Sequence, residues 1–297
     1  MRKVILSFLL AIAGLAAPPD PKREPAVVRA PVWTNGEVTA KVDGESAKVL
    51  RVLGGQSGLM ILLVLDLAGD LSLVDPARAT LVEQIEKLPP NALAGLLRAQ
   101  DGLRVLADPG PDRTALTARI RELNISGRAG LLDTVEQAVE LGDSILAKAR
   151  VRLAVLYITD SVIGNYREDY TNPVVNSSDS ADLSRRFPEG LVKEKIHQLT
   201  AQVSRRQSPL FIVHLNHRTD RLNEAYQTGL LELAAATGGS AEFCRSVAEI
   251  PAAIGKVFES ILSHRAVDVE IRLGKMRQVA LEVAAGDSVR ARRFEIR

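Results

Sequence analysis

Three continuous apolar segments constrain the fold of this chain more than any other feature. They cover residues 59–65, 151–159 and 210–215, and the first two lead directly into Asp66 and Asp160. Their length and β-branched residues are typical of strands that are buried on both faces of a parallel sheet. Amphipathic helical patterns separate them, at 76–88, 112–123, 131–149, 190–204 and 222–237. Alternating strands and helices predict an α/β fold with a doubly wound, mostly parallel sheet.

An Asp-Gly pair inside this region predicts one antiparallel strand. Asp101-Gly102 separates two partly apolar stretches, 92–99 and 103–107. A two-residue Asp-Gly connection favours a tight hairpin, because its turn needs residues that tolerate positive φ. We therefore expect one short antiparallel strand at an edge of the sheet.

Both ends of the chain show the two-residue periodicity of half-buried strands. Residues 31–56 contain two alternating runs around Asp43-Gly44, which predict a β-hairpin. Residues 265–297 alternate in the same way over three runs. We expect these C-terminal strands to pack with the N-terminal hairpin as a small antiparallel β unit beside the α/β domain, which spans 57–264.

The first residues resemble a secretory signal peptide. A basic start, Met1-Arg2-Lys3, precedes an apolar stretch at 4–15 and small residues near Ala16, so we expect a signal peptide over 1–17 and a Pro-rich linker over 18–30. The apolar stretch is shorter than the ~20 residues that span a membrane. A secreted or periplasmic protein with no stable membrane span after cleavage is expected, and an uncleaved anchor is the alternative.

Composition and missing motifs exclude several classes of function. The net charge of +2 provides no electrostatic surplus for binding nucleic acid. The single cysteine, Cys244, cannot form an intrachain disulfide. The chain contains no nucleophile elbow and no glycine-rich phosphate loop. We therefore expect a protein that is not an enzyme, and a hydrolase with an unrecognised site is the alternative.

The order of these elements, and several short segments, resemble the von Willebrand factor type A (VWA) domain. The family places a metal-ion-dependent adhesion site at the carboxyl end of its sheet. Its Asp-x-Ser-x-Ser motif, its Gly-Gly-Thr-Ala-Leu segment and its Thr-Asp-Gly motif are similar to residues 66–70, 127–131 and 159–161 here. Residues 233–239 resemble the Leu-Ala-x-x-Thr-Gly-Gly segment of bacterial members. Both β-rich ends resemble the secreted "VWFA-related" family of acidobacterial-type genomes.

This resemblance implies a degenerate metal site. Asp66 and Asp160 match family ligands, Asp70 replaces the second serine, and Ala68 and Ala129 replace a serine and the threonine. One hypothesis is that Asp66, Asp70 and Asp160 hold a divalent cation (Mg²⁺, Mn²⁺ or Ca²⁺) through carboxylate oxygens. The alternative is a metal-free domain, in which Asp66 and Asp160 hydrogen-bond to loop backbone or cap helices.

Four residues are candidates for partner contacts. Arg128 lies beside the missing threonine, where it either forms an internal salt bridge with the two aspartates or remains in solvent. Tyr166, Arg167 and Tyr170 lie in a polar segment after Asp160, at the edge where open α/β sheets bind ligands. Tyrosine and arginine are enriched at interface hot spots.

The resemblance therefore implies an extracytoplasmic module that binds an unknown protein partner. The alternative from another class is a structural role, in which the α/β domain holds the β unit in an envelope assembly. An exposed patch at the carboxyl edge of the sheet favours the first role, and an exposed patch on the β unit favours the second.

Overall fold

The computed structural model describes residues 26–33, 36–67, 70–123, 126–166, 188–271, 278–285 and 288–295. The predicted signal peptide and residues 18–25 of the predicted linker lie outside these ranges. The centre of the molecule is a six-stranded sheet with the order β10-β9-β8-β5-β6-β7. Its strands are β5 (Leu59–Asp66), β6 (Ala92–Arg98), β7 (Arg104–Gly110), β8 (Arg152–Thr159), β9 (Leu210–His214) and β10 (Ala241–Phe243).

The pairing of this sheet confirms the predicted α/β class. All neighbours pair in parallel except β6 and β7, which are antiparallel. Asp101 and Gly102 connect those two strands with φ values of 56° and 105°. Positive φ at both positions is what the tight Asp-Gly turn requires. The antiparallel edge strand was therefore correctly predicted from this pair.

In the described ranges, six α-helices cover both faces of the sheet. Apolar side chains of β5 alternate between the two faces, with Ile61 and Leu63 on one side and Leu62 and Val64 on the other. The first face packs against α1 (Leu71–Glu86), α2 (Arg113–Glu122) and α6 (Ile250–Ser263); the second packs against α3 (Leu131–Leu146), α4 (Pro188–Val203) and α5 (Arg221–Ala236). No helix in the described ranges is long and apolar enough to cross a membrane.

The first helix begins earlier than its sequence pattern predicts. Pro76 suggested a start near 76, because proline favours the first turn of a helix. The helix begins instead at Leu71, and Pro76 lies inside it. The Asp70 side chain caps this helix, accepting a hydrogen bond from the Ser72 N–H at 3.0 Å. The aspartate cap, and not the proline, sets the start of the helix.

The two ends of the chain form the predicted antiparallel β unit, as two sheets around one apolar interior. One sheet has the order β1-β11-β4 and the other β13-β12-β2-β3. Val28, Val269 and Leu281 are among the buried residues that the sheets share. The strands are β1 (Ala26–Val32), β2 (Val38–Val42), β3 (Glu45–Ala47), β4 (Val49–Leu53), β11 (Arg265–Ile271), β12 (Gln278–Ala285) and β13 (Ser288–Glu295).

Two boundaries in this unit differ from the prediction. The linker was expected to reach residue 30, but 26–30 belong to strand β1, whose Val28 and Ala30 are buried in the unit. Pro31 is tolerated because β1 is an edge strand. The predicted hairpin at Asp43-Gly44 joins β2 to the short β3 only. The chain then crosses to the other sheet, because β4 pairs with β11.

Two arginines, Arg29 (buried) and Arg292 (partly buried), join the β unit to the α/β domain. Arg29 of β1 donates to the carbonyls of Ala149 and Val151, just before β8, at 3.0 and 2.9 Å. Arg292 of β13 donates to Thr237 O at 2.6 Å and to Arg206 O at 2.6 Å. These carbonyls precede strands β8, β9 and β10. The β unit therefore contacts the amino ends of the sheet, opposite Asp66 and Asp160.

Candidate functional site

The two central strands of the sheet bring Asp66 and Asp160 to one end of the molecule. Asp66 ends β5, and Asp160 follows β8, which pairs with β5 in the register Asp66 to Thr159. The chain proceeds from β5 toward one edge of the sheet and from β8 toward the other. Open α/β sheets bind ligands at such a switch point, outside the carboxyl ends of the strands. This junction is therefore the candidate site.

Asp66 is fully buried, and both of its carboxylate oxygens accept hydrogen bonds from the chain itself. Oδ1 accepts from the Gly130 N–H at 2.8 Å, and Oδ2 accepts from the Thr159 hydroxyl at 2.9 Å and the Leu131 N–H at 3.3 Å. The two N–H groups belong to the start of α3, where the helix dipole also favours an anion. Burial still dominates, and it raises the pKa of Asp66 from 3.8 to about 6.

Gly130 reaches Asp66 because it has no side chain. A Cβ at this position would lie 1.9 Å from the carbonyl oxygen of Ala99. The loop before α3 thus passes directly against the loop after β6. This close contact lets the Gly130 N–H point at the carboxylate.

Asp160 and Asp70 fix the start of α1. Asp160 is buried, and its Oδ2 accepts from the backbone N–H of Asp70 at 3.1 Å. The Asp70 carboxylate itself accepts from the N–H and, at 2.6 Å, from the hydroxyl of Ser72. It therefore caps its own helix. Across the residues that the structure describes, no group of three or more His, Cys, Asp or Glu side chains is placed to hold a metal ion.

These residues do not fit the divalent cation that the family resemblance implies. Ala129 is buried where the family has its threonine and offers no side-chain oxygen. Ala68, the other alanine substitution, lies outside the described residues. Asp66 uses both oxygens internally, and Asp70 does not join Asp66 and Asp160 in a three-carboxylate set. The arrangement corresponds to the alternative hypothesis, in which the aspartates bind loop backbone and a helix start.

Arg128 lies on the surface of the site. It is exposed, and its backbone N–H donates to Asp101 Oδ1 at 3.4 Å. Asp66 is inaccessible and takes its hydrogen bonds from other groups, so the hypothesis of an internal salt bridge between Arg128 and Asp66 is wrong. The prediction that Arg128 contacts a partner still stands as a prediction.

Tyr166 is buried, whereas its place in a polar segment suggested an exposed side chain; that it contacts a partner stays a prediction. It is 7% exposed, and its hydroxyl hydrogen-bonds to the Tyr226 hydroxyl at 2.8 Å. Burial raises the pKa of Tyr166 well above its ordinary range. The ring packs where two helices meet the sheet, because an amphipathic side chain can bury its apolar body when its hydroxyl finds a partner. Arg167 and Tyr170 lie outside the described residues.

A buried polar layer beneath the site was not predicted. Thr134 donates to the carbonyl of Gly130 at 2.6 Å and hydrogen-bonds to the Tyr157 hydroxyl at 3.0 Å. Thr159 donates to Asp66. Tyr157 and Thr159 occupy alternate positions on β8, so both face the layer of α3. Their spacing before Asp160 is the sequence signal that could have identified them.

His214, the last residue of β9, lies beside this buried polar layer. Its Nε2 lies 3.0 Å from the carbonyl oxygen of Ser161, and burial lowers its pKa to about 4. His214 is therefore neutral at physiological pH. It is a buried hydrogen-bonding residue that fixes the segment after Asp160.

Comparisons with known proteins found similar chains among solved structures. No family model matches the chain, and no curated protein matches it in sequence. Among solved structures, a von Willebrand factor type A protein from Catenulispora acidiphila matches with 10% identity and a TM-score of 0.48, over 92% of this chain and 74% of that one. The PilB minor pilin from Streptococcus sanguinis matches with 12% identity and a TM-score of 0.47, over 70% of this chain and 62% of that one.

The vWF domain of the type V pili tip protein Mfa5 from Porphyromonas gingivalis also matches, with 12% identity and a TM-score of 0.46. That match covers 69% of this chain and 95% of the Mfa5 domain. The strand order of the central sheet, its antiparallel edge strand and its layers of helices define a VWA-type α/β fold.

Proposed function

We propose that this protein is an extracytoplasmic protein-interaction module, and not an enzyme, whose carboxyl edge contacts its partner without a bridging metal. One observation carries the proposal. The two buried aspartates hold the backbone of two loops, and each loop presents an exposed side chain one or two residues away. Asp160 binds the N–H of Asp70, beside Leu71; Asp66 binds the N–H of Gly130, beside Arg128.

The two presented side chains suit a protein interface. Leu71 is 61% exposed, an unusual position for a large apolar side chain, and Arg128 is exposed at the same end of the sheet. Arginine is enriched among interface hot spots. Because the aspartates already fix both loops, a partner would lose less entropy on binding them than on binding mobile loops.

The geometry around Asp66 supports binding over catalysis. A general acid or base has to reach the proton that it transfers. Asp66 is fully buried and engaged by three donors, so a substrate would have to displace the start of α3 to meet it. The proposed placement outside the cytoplasm rests on the signal peptide predicted for residues 1–17.

Site-specific photo-crosslinking in cells that express the whole chain tests the proposal. A photoreactive amino acid at Arg128 is expected to give a discrete adduct with another protein. Lys87 is the matched control, because it is an exposed cation after α1 at the opposite end of the sheet. Equal labelling from Arg128 and Lys87, or labelling from neither, would contradict the proposed contact.

A scaffold role is the second candidate, and the buried arginine junction favours it. Those arginines attach the β unit firmly to the α/β domain, as a load-transmitting assembly would require. The same experiment includes a third position, Leu50 on β4, which is 39% exposed on the β unit. Adducts from Leu50 alone would favour the scaffold role.

A further inference from the structure

A groove beside the edge strand β10 is not used by the site described above. It has a volume of about 590 Å³ and runs between α5 and β10. Glu224, Gln227, Thr228 and Leu231 line it from α5, at spacings of three and four residues that place them on one face of the helix. The remaining wall includes Glu242, Phe243, Arg245 and Glu249.

The floor of the groove is an open strand edge. Among the strands that the structure describes, β10 ends the order of the central sheet and pairs only with β9. The Ser240 carbonyl accepts from the Ile212 N–H at 2.9 Å, and the Cys244 N–H donates to the His214 carbonyl at 2.8 Å, so these residues face β9. Because alternate residues of a parallel strand face opposite neighbours, the N–H and C=O groups of Ala241 and Phe243 point away from β9 into the groove.

The two sides of this edge differ in chemistry. Ala241 and Phe243 belong to the apolar face that packs against α5, and Leu231 beside them is 49% exposed. Glu242 points to the other face, toward α6, where Glu249 also lies. Lys256 forms an ion pair with Glu242 at 2.7 Å. The residues that line the groove include three glutamates and one arginine, Arg245. The groove therefore combines two apolar contacts, Leu231 and Phe243, with an excess of glutamates over arginine in its lining.

We infer that this groove binds an extended basic segment of a partner protein, which adds to β10 as a further strand. Strand addition supplies backbone hydrogen bonds to Ala241 and Phe243, and alternating side chains supply specificity. Apolar residues of the segment pack on Leu231 and Phe243, and its lysines or arginines face Glu242 and Glu249. The inference rests on the proposed interaction function and adds the chemistry of one partner segment.

A synthetic peptide tests this inference. The probe is fluorescein-labelled Thr-Lys-Val-Arg-Val-Lys-Thr, and its binding to the whole chain is followed by fluorescence anisotropy. Loss of both charges in Glu242→Gln/Glu249→Gln is expected to weaken binding about tenfold, the equivalent of about 0.7 kcal/mol for each exposed contact. Leu231→Gln is expected to weaken it severalfold. Glu232→Gln is the matched control, an exposed glutamate of α5 outside the groove lining, and it should bind as the parent does.

A second probe separates strand addition from simple charge attraction. The same peptide with alternate backbone nitrogens methylated keeps its charges but cannot form the ladder hydrogen bonds. Equal binding of the methylated peptide, an equal loss in Glu232→Gln, or no binding of the parent peptide would each overturn the inference. Circular dichroism confirms that each variant is folded. Crosslinking from Arg128 is independent of these variants, so a failure of the groove leaves the carboxyl-edge contact standing, and the reverse also holds.

Discussion

Each end of the central sheet contains a buried charged side chain, and the two charges have opposite signs. At the carboxyl end, the buried anion of Asp66 is surrounded by N–H and O–H donors. At the amino end, the buried cation of Arg152 is surrounded by carbonyls, among them Leu262 O and His264 O, each at 2.8 Å. Each charge is met by hydrogen-bonding groups of the chain itself. The difference is that backbone N–H groups face Asp66, whereas backbone C=O groups face Arg152.

The direction of the helices explains this division. In a doubly wound sheet the helices run against the strands, so helix starts lie at the carboxyl ends of the strands and helix ends lie at the amino ends. Free N–H groups gather at the first end and free C=O groups at the second. Arg292 follows the same rule, because its acceptor Thr237 O directly follows α5, and Arg29 binds Ala149 O in the turn that follows α3. Asp66 therefore finds backbone donors at the carboxyl end, and Arg152 finds backbone acceptors at the amino end.

Breaking the buried ion pair of the amino end should have the largest effect. Arg29 and Asp268 are cross-strand neighbours on β1 and β11, and both are less than 10% exposed. Arg29→Met leaves Asp268 buried and unpaired, which costs about 3–5 kcal/mol. Urea denaturation of this variant measures the loss. The double variant Arg29→Met/Asp268→Leu should recover part of it, because no buried charge then remains unpaired, although the Ala149 and Val151 carbonyls still lose their donor.

An exposed pair in the same β unit provides the control. Lys41 and Glu282 are also cross-strand neighbours, 3.2 Å apart, but both side chains are 40% or more exposed. Lys41→Met is expected to cost less than about 1 kcal/mol, because water screens the pair. Similar losses in Arg29→Met and Lys41→Met would contradict the importance of burial at the junction.

Asp66 provides a smaller effect that depends on pH. Its folded pKa of about 6 lies above the ordinary 3.8, so between these values the folded protein binds more protons than the unfolded chain. Stability therefore falls as pH rises through this window. A shift of about two units corresponds to about 3 kcal/mol at most. Asp66→Asn cannot ionise, so this part of the pH dependence should be missing from its urea denaturation profile.

The difference in unfolding free energy between the parent protein and Asp66→Asn isolates the contribution of Asp66 from that of other titrating groups. Burial also raises the pKa of Asp143, which affects the parent and Asp66→Asn alike. We expect similar stabilities near pH 4 and a relative gain for the asparagine variant near pH 7. A difference that stays constant across this range would mean that Asp66 titrates normally in the folded protein.

The two ends also differ in how far the sequence predicts them. Apolar runs locate β5 and β8, and the family resemblance then places Asp66 and Asp160 together. Arg29 carries no such signal, since it lies in the segment predicted as a linker, and its partner Asp268 is 239 residues away. The burial of Tyr166 could not be predicted for the same reason, because it depends on Tyr226 in a distant helix. Local patterns specify elements, whereas buried polar contacts between distant segments require the fold.

The smallest expected effect concerns divalent cations, and it tests whether the carboxyl end is satisfied internally. A cation that binds only the folded state, at a hundredfold excess over its dissociation constant, would raise the free energy of unfolding by about 2.7 kcal/mol. We expect no change in the thermal midpoint between EDTA and millimolar Mg²⁺, Mn²⁺ or Ca²⁺, because the donors of α3 and Thr159 already occupy the oxygens of Asp66. A rise in the parent that disappears in Asp66→Asn would show that a cation displaces these donors. The Asp66 carboxylate would then be stabilised by a bound cation, whereas the arginines at the opposite end are stabilised by carbonyl groups of the chain.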